Sequence, residues 1–303
     1  MADYCFYGTK VQSDTDLFDG SQPGSAEPLG GSQSLVLQEL TDDLVFSPVP
    51  RKQLLYSAHG RELWFHSSEI SSRLNSGQLY RFEVEGVVDF SFIGGGSTVH
   101  YRILQKGSRD LMAFWLIHTF LPMYLASDHG YDFIHASSVE VDAKSILFLA
   151  PSTGGKSTLG AYFLRQGHPM ISDDKLAIFE RGGRFCAAPS HPYHRPFREF
   201  EVLGQPIEHP ATETRPVHAI YVLERADPES PTEISEIRGL RKFEQLMPYY
   251  LFHFPYQQHQ RTRWVAGLAG QCPTFRVRRP WNLDRMHEVY GAICAHSRQL
   301  SLN

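Results

Sequence analysis

An apolar run, a loop of small residues and a helical pattern follow one another between residues 145 and 167, and this order constrains the fold more than any other feature. The run SILFLA (145–150) has the length and composition of a buried strand. The turn formers PSTGG (151–155) come next, and the helical spacing after them stops at Gly167. A strand that passes through such a loop into a helix predicts an α/β sheet covered by helices.

The rest of the chain divides into two patterns. Residues 1–105 contain short runs of β-forming residues separated by turns, and GGGST (94–98) reads as a hairpin turn between two of them. From residue 106 an apolar helix (about 108–127) is followed by alternating strands and helices. We therefore predict a β-rich N-terminal domain over 1–105 and an α/β domain, a mixed sheet flanked by helices, over 106–303.

Composition excludes several classes of protein. With 303 residues, 42% of them hydrophobic, the chain can bury a substantial core, and a net charge of -4 predicts no binding to nucleic acid or to anionic membranes. The apolar stretch 111–126 is shorter than the roughly 20 residues that a membrane-spanning helix needs, so we expect a buried helix. The N-terminus lacks a secretory pattern and the four cysteines are widely spaced, which favours a cytoplasmic protein.

The small-residue loop has the composition of a phosphate-binding loop. Such a loop works because consecutive backbone N–H groups and the positive end of the following helix converge on phosphate oxygens. Lys156 would neutralise phosphate charge and the Ser157 hydroxyl would bind Mg²⁺. Ala150 stands where the pattern has glycine, which costs about 1 kcal/mol if the backbone there is left-handed. The predicted nucleotide-binding residues are Ser152, Thr153, Gly154, Gly155, Lys156, Ser157 and Thr158.

A histidine upstream is predicted to lie at the mouth of this loop. The segment HASSVEVDAKSILFLA (135–150) reads as an antiparallel hairpin that turns at residues 142–144. Pairing Val141 with Ser145 places His135 opposite Pro151. A single histidine in a strand is more often structural, but this register favours a functional one.

Two adjacent aspartates follow the next predicted strand, HPMIS (168–172). Ligands of α/β sheets gather at the carboxyl ends of strands, so Asp173 and Asp174 should face the loop. Because neighbouring residues of an extended chain point in opposite directions, we expect one carboxylate at Mg²⁺ and the other at the attacking group. The alternative is a solvated turn or a helix cap.

The segment HPYHRPFREFE (191–201) supplies further candidates. Arg195 and Arg198 are candidates for contacts to the acceptor or to the phosphates, although surface arginines are the simpler interpretation. His191 and His194 have a spacing seen in metal sites, but the sequence offers no obvious third ligand, and we predict no zinc.

The run IHASSVEVDAKSILFLAPSTGGKSTLGAYFLRQGHPMISDDKLAIFE (134–180) resembles the nucleotide-binding core of the HPr kinase/phosphorylase C-terminal domain family. The resemblance implies that Lys156 contacts the β- and γ-phosphates of ATP, and that Ser157 and Asp174 hold Mg²⁺. It also implies that Asp173 is the catalytic acid and base, supported by His135. More broadly, the chain is similar to HPr-kinase-like proteins found beside lasso-peptide genes, some of which phosphorylate a serine hydroxyl of the peptide.

The chain departs from the family at several points. Thr158 replaces the glutamate that usually follows the lysine and serine of the loop, Ala150 replaces the first glycine, and the C-terminal signature of the phosphorylase reaction has no match. We therefore expect neither the reverse reaction nor HPr as the acceptor.

These observations predict an ATP- and Mg²⁺-dependent kinase that phosphorylates a hydroxyl, expected to be a serine, of a peptide or small protein. The N-terminal domain would recognise that acceptor, and the resemblance leaves open a homo-oligomer. Two alternatives remain: a small-molecule hydroxyl kinase of the same fold, and a nucleotide-binding sensor that transfers no phosphate.

Overall fold

The computed structural model describes residues 1–18, 34–40, 52–58, 60–66, 76–195, 201–254 and 257–302. The chain is mixed α/β and divides into two compact units. The first comprises Met1–Tyr131, Phe197–Gln205 and Phe254–Gln257, and the second Asp132–Pro196, Pro206–His253 and Gln258–Asn303.

The described residues of the first unit form a sheet of eight strands. In chain order these are β1 (Ala2–Phe6), β2 (Thr9–Ser13), β3 (Leu35–Glu39), β4 (Lys52–Ala58), β5 (Arg61–His66), β6 (Leu79–Val84), β7 (Val88–Ile93) and β8 (Thr98–Ile103). Strands β4 to β8 form an antiparallel meander, and β3 lies parallel to both β2 and β8. The described residues of this segment are rich in strands, and a turn lies between β7 and β8 at residues 94–98.

A buried helical segment completes this unit. It consists of α1 (Arg109–Trp115), a π-helical turn (Leu116–Phe120) and α2 (Leu121–Asp128). The interruption precedes Pro122, which has no N–H to donate to the preceding turn. The Phe120 ring stacks on Phe90 of β7 with centroids 4.3 Å apart, so this helix packs on the first sheet. This helix accordingly belongs to the first unit, which includes the chain as far as Tyr131.

The strands of the remaining chain are numbered on from these. They are β9 (Asp132–His135), β10 (Ser137–Val141), β11 (Lys144–Leu149), β12 (Met170–Ser172), β13 (Lys175–Arg181), β14 (Arg184–Ala188), β15 (Tyr193–His194), β16 (Gln205–Pro206), β17 (Arg215–Ala226), β18 (Glu233–Glu236) and β19 (Thr274–Pro280). The helices are α3 (Lys156–Arg165), α4 (Leu240–Leu246), α5 (Gln258–Gln271) and α6 (Met286–Leu300), with short 3-10 turns at Met247–Tyr249 and Leu283–Arg285.

The central strands of the second unit are buried on both faces. The sheet has the order β12-β10-β11-β17-β14-β13-β9, with β19 beside β17 and β18 beside β19. Leu147 of β11 belongs to the hydrophobic cluster that includes Leu268 of α5, whereas the adjacent Phe148 belongs to the cluster that includes Leu159 of α3. Helices therefore cover both sides of β11, as expected of a strand that reads as a continuous apolar run.

No helix among the described residues is both long enough and apolar enough to cross a membrane.

Candidate functional site

The loop between β11 and α3 depends on two glycines for different reasons. Gly155 caps α3 with a φ of +83°, a conformation that favours glycine. Gly154 is needed for space, because a Cβ there would lie 2.6 Å from the Ala150 Cβ and 2.9 Å from the Pro151 carbonyl oxygen. Ala150 itself lies outside the left-handed region, so the alanine causes no backbone strain.

The helix that follows presents its positive end to this loop. Gly155 has no side chain to cap the first-turn N–H groups of α3. Ser152, Thr153 and Thr158 are exposed and Ser157 is half-buried, whereas Lys156 is only 4% exposed. The structure thus gathers the predicted loop residues around one helix N-terminus, an arrangement suited to an anion.

His135 joins the loop lysine to a carboxylate. Its Nε2 lies 2.7 Å from Nζ of Lys156, and its Nδ1 lies 3.1 Å from Oδ1 of Asp174. An ammonium has only donors, so Nε2 accepts and Nδ1 carries the proton that is donated to Asp174. One imidazole therefore holds the loop's cation and a strand-end carboxylate in a fixed relation.

The route by which His135 reaches the loop differs from the predicted one. The β10–β11 hairpin is present, but Val141 pairs with Lys144 rather than with Ser145. Both residues of the tight turn, Asp142 and Ala143, have positive φ, which closes the hairpin one residue earlier than predicted. His135 belongs to β9, where it pairs with Lys175 of β13.

Asp173 occupies a different environment from Asp174. It is 5% exposed, and its Oδ2 accepts a hydrogen bond from the backbone N–H of Arg195 at 3.0 Å. Its Oδ1 has no hydrogen-bond partner among the described residues and lies 3.7 Å from Nε2 of His194. The resemblance implied that His135 supports Asp173, whereas the carboxylate that contacts His135 is Asp174. The two side chains diverge because they follow one another at the end of β12.

The other predicted candidates have separate outcomes. Arg195 borders Asp173 through its backbone, and Arg198 lies outside the described residues. Burial, together with the nearby charges of Lys175 and Arg195, lowers the pKa of His191 to about 3. In the part of the chain that the structure describes, no three or more His, Cys, Asp or Glu side chains gather into a metal-binding group.

The oxygen donors beside the loop suit Mg²⁺. The Asp174 side chain is 37% exposed and the Ser157 hydroxyl lies on the first turn of α3. Carboxylate and hydroxyl oxygens, completed by water and phosphate, are the ligands that this ion takes in phosphate sites. These two residues fit the ion.

Sequence reasoning missed two arginines that brace the loop. Arg225 donates to the carbonyl oxygen of Thr153 at 2.7 Å, and Arg279 donates to that of Gly154 at 2.9 Å. Arg279 is only 2% exposed, and burial, followed by the charge of Arg225, lowers its pKa. In the sequence Arg279 reads like the other arginines of its segment, as part of a solvated edge. The burial of Arg279 could have been inferred from the alternation of side chains along a strand, which places residue 279 on the same side as the apolar Val277.

Comparison with known proteins gives little further information. No family model matches the chain, and no curated protein matches it. A solved structure of the HPr(Ser) kinase/phosphatase from Coxiella burnetii superposes on 56% of this chain and 97% of that chain, with a TM-score of 0.34 and 13% sequence identity. Likeness at this level identifies neither a substrate nor a reaction, and the family resemblance of residues 134–180 stays a prediction.

Proposed function

We propose that the chain is an ATP- and Mg²⁺-dependent kinase that transfers the γ-phosphate to a hydroxyl. The observation that carries the proposal is the state of Asp173: a buried carboxylate with one oxygen fixed by the Arg195 amide and the other without a hydrogen-bond partner in the described residues. It is adjacent in sequence to Asp174, which is linked through His135 to the loop lysine. Asp173 would therefore take a proton from the acceptor hydroxyl. Lys156, which His135 links to the adjacent Asp174, would hold the phosphates of the donor.

The proposed reaction assigns one task to each group. The acceptor oxygen bonds to the γ-phosphorus, the bond from that phosphorus to the β–γ bridging oxygen breaks, and ADP leaves with the electron pair. Oδ1 of Asp173 accepts the hydroxyl proton, while Lys156 and the N-terminus of α3 offset the charge on the phosphates. Mg²⁺, held by Ser157 and Asp174, would supply further positive charge at the phosphate oxygens.

We further propose that the acceptor is a serine of a peptide or small protein and that the first unit recognises it. Support comes from the resemblance of residues 134–180 to HPr-kinase-type domains and of the whole chain to lasso-peptide kinases. The second unit would then be a P-loop kinase domain of HPr kinase type.

Labelled ATP tests this proposal. The full chain with Mg²⁺ is incubated with synthetic peptides that contain one serine, with matched alanine peptides, and with free serine and glycerol as small hydroxyl acceptors. We expect a mass increase of one phosphate on serine peptides alone. Label on the small acceptors only would indicate a small-molecule kinase.

Variants connect the activity to the site. Asp173→Asn should fold and bind ATP but lower kcat by about 10²-fold or more, because a general base is lost. Glu180→Gln, at an exposed carboxylate of β13, is the matched control and should be fully active. ATP binding without transfer, together with a silent Asp173→Asn variant, would favour the sensor instead.

A further inference from the structure

Three parallel strands end at the same edge of the second sheet. β11 lies parallel to β17, and β17 lies parallel to β19. The phosphate loop follows β11, Arg225 lies near the end of β17, and Trp281 follows the last residue of β19. In open α/β sheets this edge is where ligands bind, so these strand ends adjoin the loop as parts of one candidate site.

Trp281 lies against the loop with part of its surface exposed. A Cβ built on Gly155 would lie 3.3 Å from Cζ3 of the indole, so the ring occupies the space beside this loop residue. The Trp281 backbone N–H donates to the Ala226 carbonyl oxygen at 3.1 Å, which anchors it to the end of β17. The residue is nevertheless 42% exposed, so part of its surface is open to a ligand.

The indole is stacked with a fixed cation. Cζ of Arg225 lies 3.8 Å from the ring centroid and Cζ of Arg279 lies 4.9 Å from it. Both guanidinium groups also donate to loop carbonyls, so their positions are tied to the loop. The result is an indole in cation–π contact with a guanidinium, held next to a loop suited to phosphates.

We propose that the Arg225–Trp281 stack is the surface on which the base of the nucleotide lies. The inference rests on the proposed function in one respect, that the ligand of the loop is a nucleoside triphosphate. Flat π-surfaces bind bases by stacking, and a guanidinium adds a cation–π contribution. Stacking contacts the face of a base and not its hydrogen-bonding edge. Adenine and guanine should therefore stack alike, and ATP and GTP should bind with similar affinity.

Inorganic tripolyphosphate separates base recognition from phosphate recognition. Titrations of the full chain with ATP, GTP and tripolyphosphate, each with Mg²⁺, are compared for the native sequence and for Trp281→Ala. We expect the variant to bind ATP and GTP about ten-fold more weakly and tripolyphosphate within two-fold of the native protein. Trp281→Phe should retain most of the affinity for ATP, and Leu283→Ala, at an exposed apolar residue nearby, should change nothing.

Two outcomes would overturn the inference. An equal loss for ATP and tripolyphosphate in Trp281→Ala would mean that the indole only braces the loop, and unchanged ATP affinity would place the base elsewhere. The proposed function fails separately: base-dependent binding of ATP without phosphoryl transfer would contradict the kinase and leave the stacking surface supported.

Discussion

Nε2 of His135 and Nζ of Lys156 lie 2.7 Å apart, so the loop's ammonium is held by a side chain from another strand. We expect His135→Ala to lower kcat by about ten-fold to a hundred-fold, because Lys156 and Asp174 lose their common partner and their alignment. His135→Gln should recover part of the rate, since an amide can accept from Lys156 and donate to Asp174. Steady-state kinetics against ATP measures both variants.

The control for this prediction is His168→Gln. His168 lies elsewhere in the second unit, where it contacts the Tyr290 hydroxyl at 3.0 Å. A His135→Ala enzyme with the native kcat would show that the histidine has no part in the reaction.

Gly154 and Ala150 should behave as a coupled pair. A methyl group on residue 154 would lie 2.6 Å from the Ala150 Cβ, so Gly154→Ala should destabilise the loop by about 1–3 kcal/mol and weaken tripolyphosphate binding. Ala150→Gly added to that variant should restore part of the loss, since the Pro151 carbonyl contact remains. A double-mutant cycle on unfolding free energies measures the coupling, and strict additivity would refute it.

Because of Asp132, the free energy of unfolding should fall as pH rises through the weakly acidic range. Burial raises its pKa from 3.8 to about 6, and Tyr250 donates to its Oδ1 at 2.6 Å. The folded pKa lies above the unfolded one, so the stabilisation is complete below pH 3.8 and is lost as pH rises through about 6. The pKa shift of Asp132 corresponds to about 3 kcal/mol of unfolding free energy.

Asp132→Asn removes this titration. Relative to the native chain, the variant should gain stability between pH 4 and pH 7, by up to ~3 kcal/mol in urea unfolding. A difference between Asp132→Asn and the native chain that stays constant over this range would mean that Asp132 ionises normally.

Ala143 is an L-residue in a left-handed conformation. Its φ is 58°, and it is exposed in the two-residue turn between β10 and β11. Ala143→Gly should raise the free energy of unfolding by up to about 1 kcal/mol, reduced by the greater freedom of glycine in the unfolded chain. Thermal unfolding should show a rise in Tm, whereas Ala150→Gly, where φ is not left-handed, should give none. A lower Tm for Ala143→Gly would contradict the prediction.

Much of the fold could be predicted because buried strands and helix faces require a regular spacing of apolar residues along the sequence. The apolar run of β11 and the amphipathic α3 are local signals, and both lie within one residue of their predicted bounds. Helix α5 (Gln258–Gln271) escaped prediction because its first half is polar and its second half contains Gly267 and Gly270. Its buried face is defined by the Val265 and Leu268 contacts to the sheet, which exist only in the folded chain.

The residue types that form the site could be predicted from the sequence, but the contacts between these residues could be predicted less well. The loop, His135 and the two aspartates are recognisable by residue type and order. Which aspartate contacts His135 depends on the direction of each side chain at the end of β12, where neighbouring residues point in opposite directions. The contact of Arg279 with Gly154 joins residues 125 positions apart, a distance that no local pattern encodes.

The tethering of the Thr153 and Gly154 carbonyls to β17 and β19 determines when the loop becomes ordered. Because guanidinium groups from two neighbouring strands hold it, the loop takes its shape as the sheet assembles. The conformational entropy of ordering it is lost once, during folding, instead of at every encounter with a polyphosphate. Capture should therefore be fast and need little rearrangement of the backbone, and any event that frees β19 would also release the Gly154 carbonyl.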